Sequence, residues 1–368
     1  MRVYRSLAEI SPGPTVVTIG NFDGVHCGHR WILNLIEERA RVLSCSFESA
    51  LNAADAAAAG AAGADAAAAM RPAAVRAVAV TFDPHPSRLL RPEDSPRLIT
   101  PLESRLRLLE GTGVDAVLVL PFTPELSRMS GEEFVTAILR DALHAVEVHE
   151  GENFRFGHRA HCDTAVLEAL GVKLGFRVEI HSARHVRGML ISSSRVRQCI
   201  LAGEMGNARA LLGRPFSIDS TAATGRGIGS RLTVPTINLA PYDELVPADG
   251  VYITRLRAGG GRGSGGRIFD AVTNAGRRPT FGEESYAIES YLLDYDAAID
   301  PLELTPETPL ELTFLRRLRE ERRFASPELL RAQIFRDVAK AKRYFQLWRL
   351  VGSKRKLERA HSTAEGLA

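Results

Sequence analysis

Residues 20–29, GNFDGVHCGH, bring three glycines, an aspartate and two histidines together between a strand-like run, TVVTIGNF, and a helix-like one, WILNLIEERARVL. Gly20, Gly24 and Gly28 let the backbone turn tightly and approach a ligand closely. Asp23 and Phe22 lie in the same turn. A helix starting just beyond offers free N–H groups and a positive dipole end to an anion. His26 and His29, three residues apart, stand beside that place, an arrangement suited to binding and charge stabilisation of a polyphosphate. Two other readings remain open. His-x-x-His around Cys27 has the form of a metal half-site, and a histidine at a helix start can simply cap it.

Further groups of the same kind follow. In ISSSRVR, residues 191–197, Ser193, Ser194 and Arg195 sit at a helix start, as in phosphate grips; a serine N-cap beside a surface arginine reads equally well. In TFDPHP, residues 81–86, prolines around His85 stiffen an extended loop or a plain turn. In GENFRFG, residues 151–157, Asn153, Phe154 and Arg155 suit a flat ring system carrying a phosphate, and buried loop phenylalanines are the alternative. In TVPTINL, Thr236 and Asn238 are two apart and share a strand face. Their oxygens could hold Mg²⁺, although such pairs are commonplace on exposed strands. Glu289 shares a strand face with Tyr291 and Leu293, which also suits a plain exposed glutamate. A glycine-rich run over residues 224–230 carries Gly225, Gly227 and Gly229.

These residues need elements to hold them. AVRAVAVTF and VDAVLVLPF read as buried strands like TVVTIGNF, with helical LESRLRLLEGTG between them. Strands alternating with helices predict a parallel sheet, continued through TAVLEALG, FRVEIHSA and one helical stretch, SSRVRQCILAGEMGNARALLG. From residue 214 short strands separated by Gly, Pro and Asp turns predict a small β-barrel, closed by a helix over 327–348. The expected fold class is therefore α/β plus β, with domains at 1–213 and 214–348 and a basic flexible tail at 349–368. Residues 50–74, of which sixteen are alanine, read as a frayed or disordered surface insertion. Residues 259–266, GGGRGSGG, read as a flexible hairpin tip.

Composition narrows the function classes. At 368 residues, 45% hydrophobic and 25% charged, the chain is ordinary globular protein. Its net charge of +3 equals that of residues 348–368 alone, with five basic and two acidic groups, which leaves the remaining body near neutral. That argues against coating by nucleic acid. Four dispersed cysteines suggest neither disulfides nor a four-cysteine zinc site. The N-terminal residues lack the apolar run of a secretory signal, so a cytoplasmic monomer or weak homo-oligomer acting on small molecules, without nucleic acid or membrane, is expected.

GxFDGxHxGH resembles the signature of the nucleotidylyltransferase superfamily. With TFDPHP, GENFRFG and ISSSRVR in order over some 200 residues, it is similar to the adenylyltransferase half of bacterial bifunctional riboflavin kinase/FAD synthetases. PTIN, NAGRRPTFG and AIESYLLDY resemble that family's riboflavin kinase module. The resemblance implies a Rossmann-like domain that joins FMN to the adenylyl group of ATP, releasing pyrophosphate. It also implies a barrel that phosphorylates riboflavin with ATP. It assigns His26, His29, Ser194 and Arg195 to the ATP phosphates, with Gly20, Phe22, Asp23, Gly24, Gly28 and Ser193 around them. Asn153, Phe154, Arg155 and His85 fall to FMN. Glu289 becomes the general base. Thr236 and Asn238 hold Mg²⁺, and Gly225, Gly227, Gly229 and Arg278 bind kinase nucleotide or flavin.

The sequence departs from the family pattern in places. Cys162 stands where a glycine is usual, near His158 and His161, and these three also have the form of a metal site. PTIN replaces PTAN, NAG replaces NIG, and GSRLTVPT carries extra residues. Two alternatives follow: an FAD synthetase with an inactive kinase-like domain, or a non-catalytic nucleotide- or RNA-binding regulator.

Overall fold

The computed structural model describes residues 1–58, 74–223, 236–260, 265–280, 283–296, 299 and 301–365. Contacts divide the chain into two units, Met1–Arg195 and Val196–Ala368.

The first unit is a parallel sheet between two helical layers. Its elements are β1 (Arg2–Tyr4), β2 (Thr15–Ile19), α1 (Cys27–Ala58), β3 (Arg76–Asp83), α2 (Pro86–Leu90), α3 (Leu102–Glu110), β4 (Ala116–Pro121), α4 (Pro124–Arg128), α5 (Gly131–Phe134), β5 (Ala145–Gly151), α6 (Thr164–Leu174) and β6 (Arg177–His181), then the short hairpin of β7 (His185–Val186) and β8 (Met189–Leu190). The strand order is β1-β4-β3-β2-β5-β6, and every pairing is parallel. Every residue of β2 is buried, as a strand covered on both faces requires. Leu33, Ile36, Leu106 and Leu109 cover one face; Ile138, Leu139, Leu167 and Leu170 cover the other.

α1 runs into the alanine-rich segment as far as Ala58, consistent with alanine's helix propensity; residues 59–73 lie outside the described residues. The single helix expected near residues 193–213 is two, α7 (Ser193–Leu201) and α8 (Met205–Leu212). Gly203, with φ 74°, breaks them apart, because only glycine enters that left-handed conformation at little cost. The sequence-based boundary at residue 213 falls beyond the contact division, since α8 packs on strands of the second unit.

The second unit is an antiparallel barrel. Its strands are β9 (Phe216–Thr221), β10 (Thr236–Asn238), β11 (Gly250–Ala258), β12 (Arg267–Thr280), β13 (Glu283–Leu292) and β14 (Pro309–Arg319), in the order β10-β13-β12-β11-β14-β9. The two edges meet: Ala222 bridges Leu239, Ala223 N–H donates to Asn238 and Ala240 N–H to Thr221, each at 2.9 Å. This removes the exposed edges of the sheet. Phe216, Ile218, Tyr252, Leu256, Leu312 and Phe314 are buried. A wholly buried hydroxyl chain lies with them, Thr254 to Thr273 at 2.6 Å and Thr273 to Ser290 at 2.8 Å.

Outside the barrel, α9 (Pro327–Glu365) sets Ala341 and Phe345 against Val251, Ile253, Val272 and Leu293. The helix passes residue 348, where the sequence reading ended it and began a flexible tail. Lys, Arg, Leu, Glu and Ala dominate beyond that point, and Gly352 alone costs only about 1 kcal/mol. Among the described residues no helix is long and apolar enough to cross a membrane.

Candidate active sites

The chain proceeds from β2 to β3 and β4 on one side, then adds β5 and β6 on the other. The carboxyl ends of β2 and β5 thus flank a topological switch point, where open parallel sheets bind ligands. The loops over 20–26, 83–86, 151–157 and 182–192 all follow carboxyl ends of the sheet, so sheet topology gathers motifs far apart in sequence.

The first of these loops is held by internal contacts. Phe22, Gly24 and Val25 have φ of 47°, 83° and 38°, costly for the two non-glycine residues. Asp23, only 1% exposed, accepts the backbone N–H groups of Ile99 at 3.1 Å and Thr100 at 3.0 Å. The Thr100 hydroxyl accepts Gly24 N–H at 2.9 Å. Buried Arg105 donates to the carbonyls of Asn21 at 2.8 Å and Phe82 at 3.0 Å. Asp23, read from sequence among the ATP-binding residues, here shapes the loop, and Phe22 is buried with it.

His26 Nδ1 accepts the backbone N–H of His29 at 3.2 Å, so His26 caps α1. Its ring also lies on that of His29, with centroids 3.6 Å apart and 15° between planes. His29 Nδ1 is fully enclosed and has no hydrogen-bond partner among the described residues. Burial, then the neighbouring His26 and Arg105, hold His29 well below the usual histidine range. His29 is thus a neutral imidazole in the first turn of α1.

α7 begins beside the same loop, because Ser193 Oγ donates to the Asp23 carbonyl at 2.8 Å. Ser192 caps this helix, accepting Arg195 N–H at 3.2 Å, while Ser194 and Arg195 are exposed in its first turn. His85 caps α2 through Ser87 N–H at 3.2 Å. In the loop after β5, Asn153 is exposed, Phe154 stacks on Phe156 at 5.5 Å, and Arg155 pairs with Asp163 at 3.2 Å. Asp163 itself caps α6.

Cys162 fills space in this loop. A Cβ on Gly131 would lie 2.5 Å from its Sγ, and its backbone pairs with Phe156 at 3.1 Å in both directions. His158 Nδ1 faces the Ser127 carbonyl at 3.1 Å. Among the described residues no group of three or more His, Cys, Asp or Glu is placed to hold a metal.

Sequence reasoning missed the polar groups within the sheet. β5 carries Glu147, His149 and Glu150, all buried, where a central parallel strand is normally apolar; those charges in AVEVHEG were the available signal. Ile19 N–H donates to Glu150, and burial raises that carboxyl well above its usual range. Arg39 on α1 donates to Glu147 at 3.0 Å, Glu147 contacts His149 Nε2 at 3.2 Å, and His149 Nδ1 meets His181 Nε2 at 3.1 Å. His181 lines a cavity of about 850 Å³ with Cys27, Trp31, Arg184, His185 and Ile191.

In the second unit, antiparallel register places Asn238 opposite Glu289 and Thr236 opposite Tyr291. Glu289 also faces Asn274 across β12. Directly opposed residues share a face, so Asn238, Glu289 and Asn274 form one row over three strands. Sequence reading had Asn274 only as part of a motif. Gly225, Gly227 and Gly229 lie outside the described residues. Arg278 lies on β12, and its side chain is outside the description.

A family model described as FAD synthetase matches residues 9–48 and 64–195, and one described as riboflavin kinase matches 212–345. The first match skips much of the alanine-rich segment. The bifunctional riboflavin kinase/FMN adenylyltransferase of Pseudomonas fluorescens is 33% identical, covering 93% of this chain and 97% of that protein. Its counterpart from Escherichia coli strain K12 is 29% identical, covering 94% and 99%. A crystal structure titled a macrolide-efflux protein from Streptococcus pneumoniae aligns with a TM-score of 0.72 at 24% identity, over 92% of this chain and 98% of that one. That last likeness bears on fold alone.

Proposed function

Because the chain belongs to the bifunctional riboflavin kinase/FMN adenylyltransferase family, with both domain families matched, we propose how its residues divide the work of making FMN and then FAD. The chain is an enzyme of flavin biosynthesis, its substrates being riboflavin, FMN and ATP. The hydrogen bond from Ser193 Oγ to the Asp23 carbonyl at 2.8 Å, which brings the starts of α1 and α7 to one place, is the observation that carries the assignment of the adenylyl site.

In that site the starts of α1 and α7 receive the ATP phosphates. His26 and His29 face them from one helix, and Ser194 and Arg195 from the other. Gly20, Gly24 and Gly28 keep the approach open: a Cβ on Gly28 would lie 3.3 Å from the His26 ring. The FMN phosphate attacks the α-phosphorus of ATP in line; its oxygen forms the new P–O bond and pyrophosphate leaves with its electron pair. No protein nucleophile takes part, so positioning and charge neutralisation supply the catalysis. Asn153 and Phe154 place FMN, with Arg155 and His85 at its edge.

In the barrel, Glu289 takes the proton from the riboflavin 5′-hydroxyl as that oxygen attacks the γ-phosphorus of ATP and ADP leaves. Thr236 and Asn238 offer oxygen donors from one strand face, a donor set that fits Mg²⁺. Bound there, the ion would neutralise phosphate charge. Gly225, Gly227, Gly229 and Arg278 complete the nucleotide and flavin contacts in this reading. The near-neutral body speaks against coating by nucleic acid; in this reading the protein is cytoplasmic, works on small molecules without nucleic acid or membrane, and is a monomer or weak homo-oligomer.

Purified protein given riboflavin, Mg²⁺ and ATP is expected to yield FMN and then FAD. Glu289→Gln is expected to abolish FMN formation while sparing FAD formation from supplied FMN, and His26→Ala the reverse. FMN formation surviving in Glu289→Gln would overturn the assignment of the base.

A further inference from the structure

The polar chain through the sheet sets the proton order at its end. Hydrogen bonds from Arg39 and His149 hold Glu147 below its usual range against the opposing effect of burial, so it is an acceptor carboxylate. His149 therefore donates its Nε2–H to Glu147. Burial lowers His149 despite that partner, which leaves its Nδ1 a bare acceptor. His181 Nε2 must then carry the hydrogen of the 3.1 Å contact. A neutral imidazole has one N–H, and His181 is itself lowered, first by burial and then by His149. Its Nδ1, pointing roughly away from Nε2, is left as an acceptor.

This ring stands at a built cavity. Trp31 packs edge-on to His181 with centroids 4.9 Å apart, and Arg184 lies over the Trp31 ring at 4.3 Å. His149 meets His181 edge to edge, with ring centroids 5.4 Å apart and 8° between planes, the near-coplanar geometry that an N–H···N contact between rings requires. Cys27, the first residue of α1, and Ile191, just before α7, also line the space of about 850 Å³. The cavity thus adjoins both helix starts assigned above to the ATP phosphates, and it has room and flat walls for a heteroaromatic base.

We propose that His181 is a specificity-determining residue of the adenylyl site, its Nδ1 accepting a hydrogen bond from the exocyclic amine of the ATP base. Arg39, Glu147 and His149 are positioning residues that fix the His181 tautomer. The inference rests on the adenylyl-transfer reading of this unit. An acceptor there welcomes a 6-amino purine and opposes a 6-oxo purine, whose oxygen is also an acceptor. The flavin ring also carries an N–H donor, so the test separates the two sources.

FAD formation from supplied FMN is measured with ATP and with inosine triphosphate, which bears the 6-oxo group. The wild type is expected to prefer ATP by about tenfold or more. His181→Phe, which keeps a ring and removes the nitrogens, is expected to raise KM for ATP about fivefold, leave kcat nearly unchanged and bring the ATP to inosine triphosphate ratio close to one. His181→Asn, which can return a carbonyl acceptor near the Nδ1 position, is expected to restore much of the preference. Glu147→Gln, able to present a donor to His149 and reverse the proton order, is expected to narrow or invert it. Thermal melts of the same samples report that the first unit is folded, and riboflavin phosphorylation that the second is. An unmoved ratio in both His181→Phe and Glu147→Gln overturns the proposal, as does a rise in KM for FMN instead of ATP. Absence of FAD formation in the wild type would instead remove the reading beneath it.

Discussion

The imidazole of His26 lies flat on that of His29, 3.6 Å between centroids, while its Nδ1 accepts the His29 backbone N–H at 3.2 Å. The same side chain therefore caps α1 and walls its neighbour. Capping and phosphate binding, alternatives in the sequence, are compatible uses of one residue. The Nδ1 of His26, held by the helix, is therefore not the nitrogen offered to a ligand.

His29, His149 and His181 all have lowered proton affinity in the fold, each first because of burial. The unfolded chain, with histidines near 6.5, binds more protons than the native one just below that pH. Native stability is thus present above about pH 6.5 and is lost as pH falls from there through the folded values. The slope is at most about 1.4 kcal/mol per pH unit for each group. Denaturant unfolding at pH 7.5 and 5.5 checks the sign, and His149→Gln should reduce the difference.

Glu150 behaves oppositely, because burial raises it. The unfolded carboxyl ionises above about pH 4.3, so this group costs stability as pH rises from there through the folded value. Glu150→Gln, whose carbonyl can still accept Ile19 N–H, is expected to stabilise the first unit at pH 8 and change little at pH 4. Thermal melts at the two pH values decide it; equal effects at both would contradict a neutral carboxyl.

Asp23→Asn would turn an amide toward N–H groups that now find carboxylate oxygens, those of Ile99 and Thr100. We expect a loss of about 2 kcal/mol of stability and slowed FAD formation, with riboflavin phosphorylation retained. If Asp23 instead acted only on ligand, melting would be unchanged and KM for ATP alone would move.

Gly131→Ala would push a Cβ against Cys162 Sγ, 2.5 Å away. A cost of about 1–3 kcal/mol is expected from overpacking, with recovery in the Gly131→Ala/Cys162→Gly double variant. A double-mutant cycle in urea measures the coupling; strict additivity would show that the two sites do not share this space.

Much of this protein was legible in its residues. Apolar runs such as TVVTI and AVLVLP marked central strands because burial on both faces leaves no polar alternation. Gly20, Gly24 and Gly28 marked a close-approach loop, and the alternation of Thr236 and Asn238 marked one strand face. What stayed hidden was set by contacts distant in sequence. The carboxylate of Asp23 could be assigned to loop shape only once residues 99–100 were seen to bond it. Nothing in LESRLRLLEGTG sets Arg105 apart from Arg107; only the fold buries it beneath two carbonyls. Gly203 could have continued a helix, and its positive φ is a choice made by packing. The pairing of Asn238 with Glu289, and the run from Arg39 to His181, depend on strand register and on which helix covers the sheet. Local residue chemistry determines what each group is able to do; only the long-range packing that removes water and supplies partners decides which of those abilities is used.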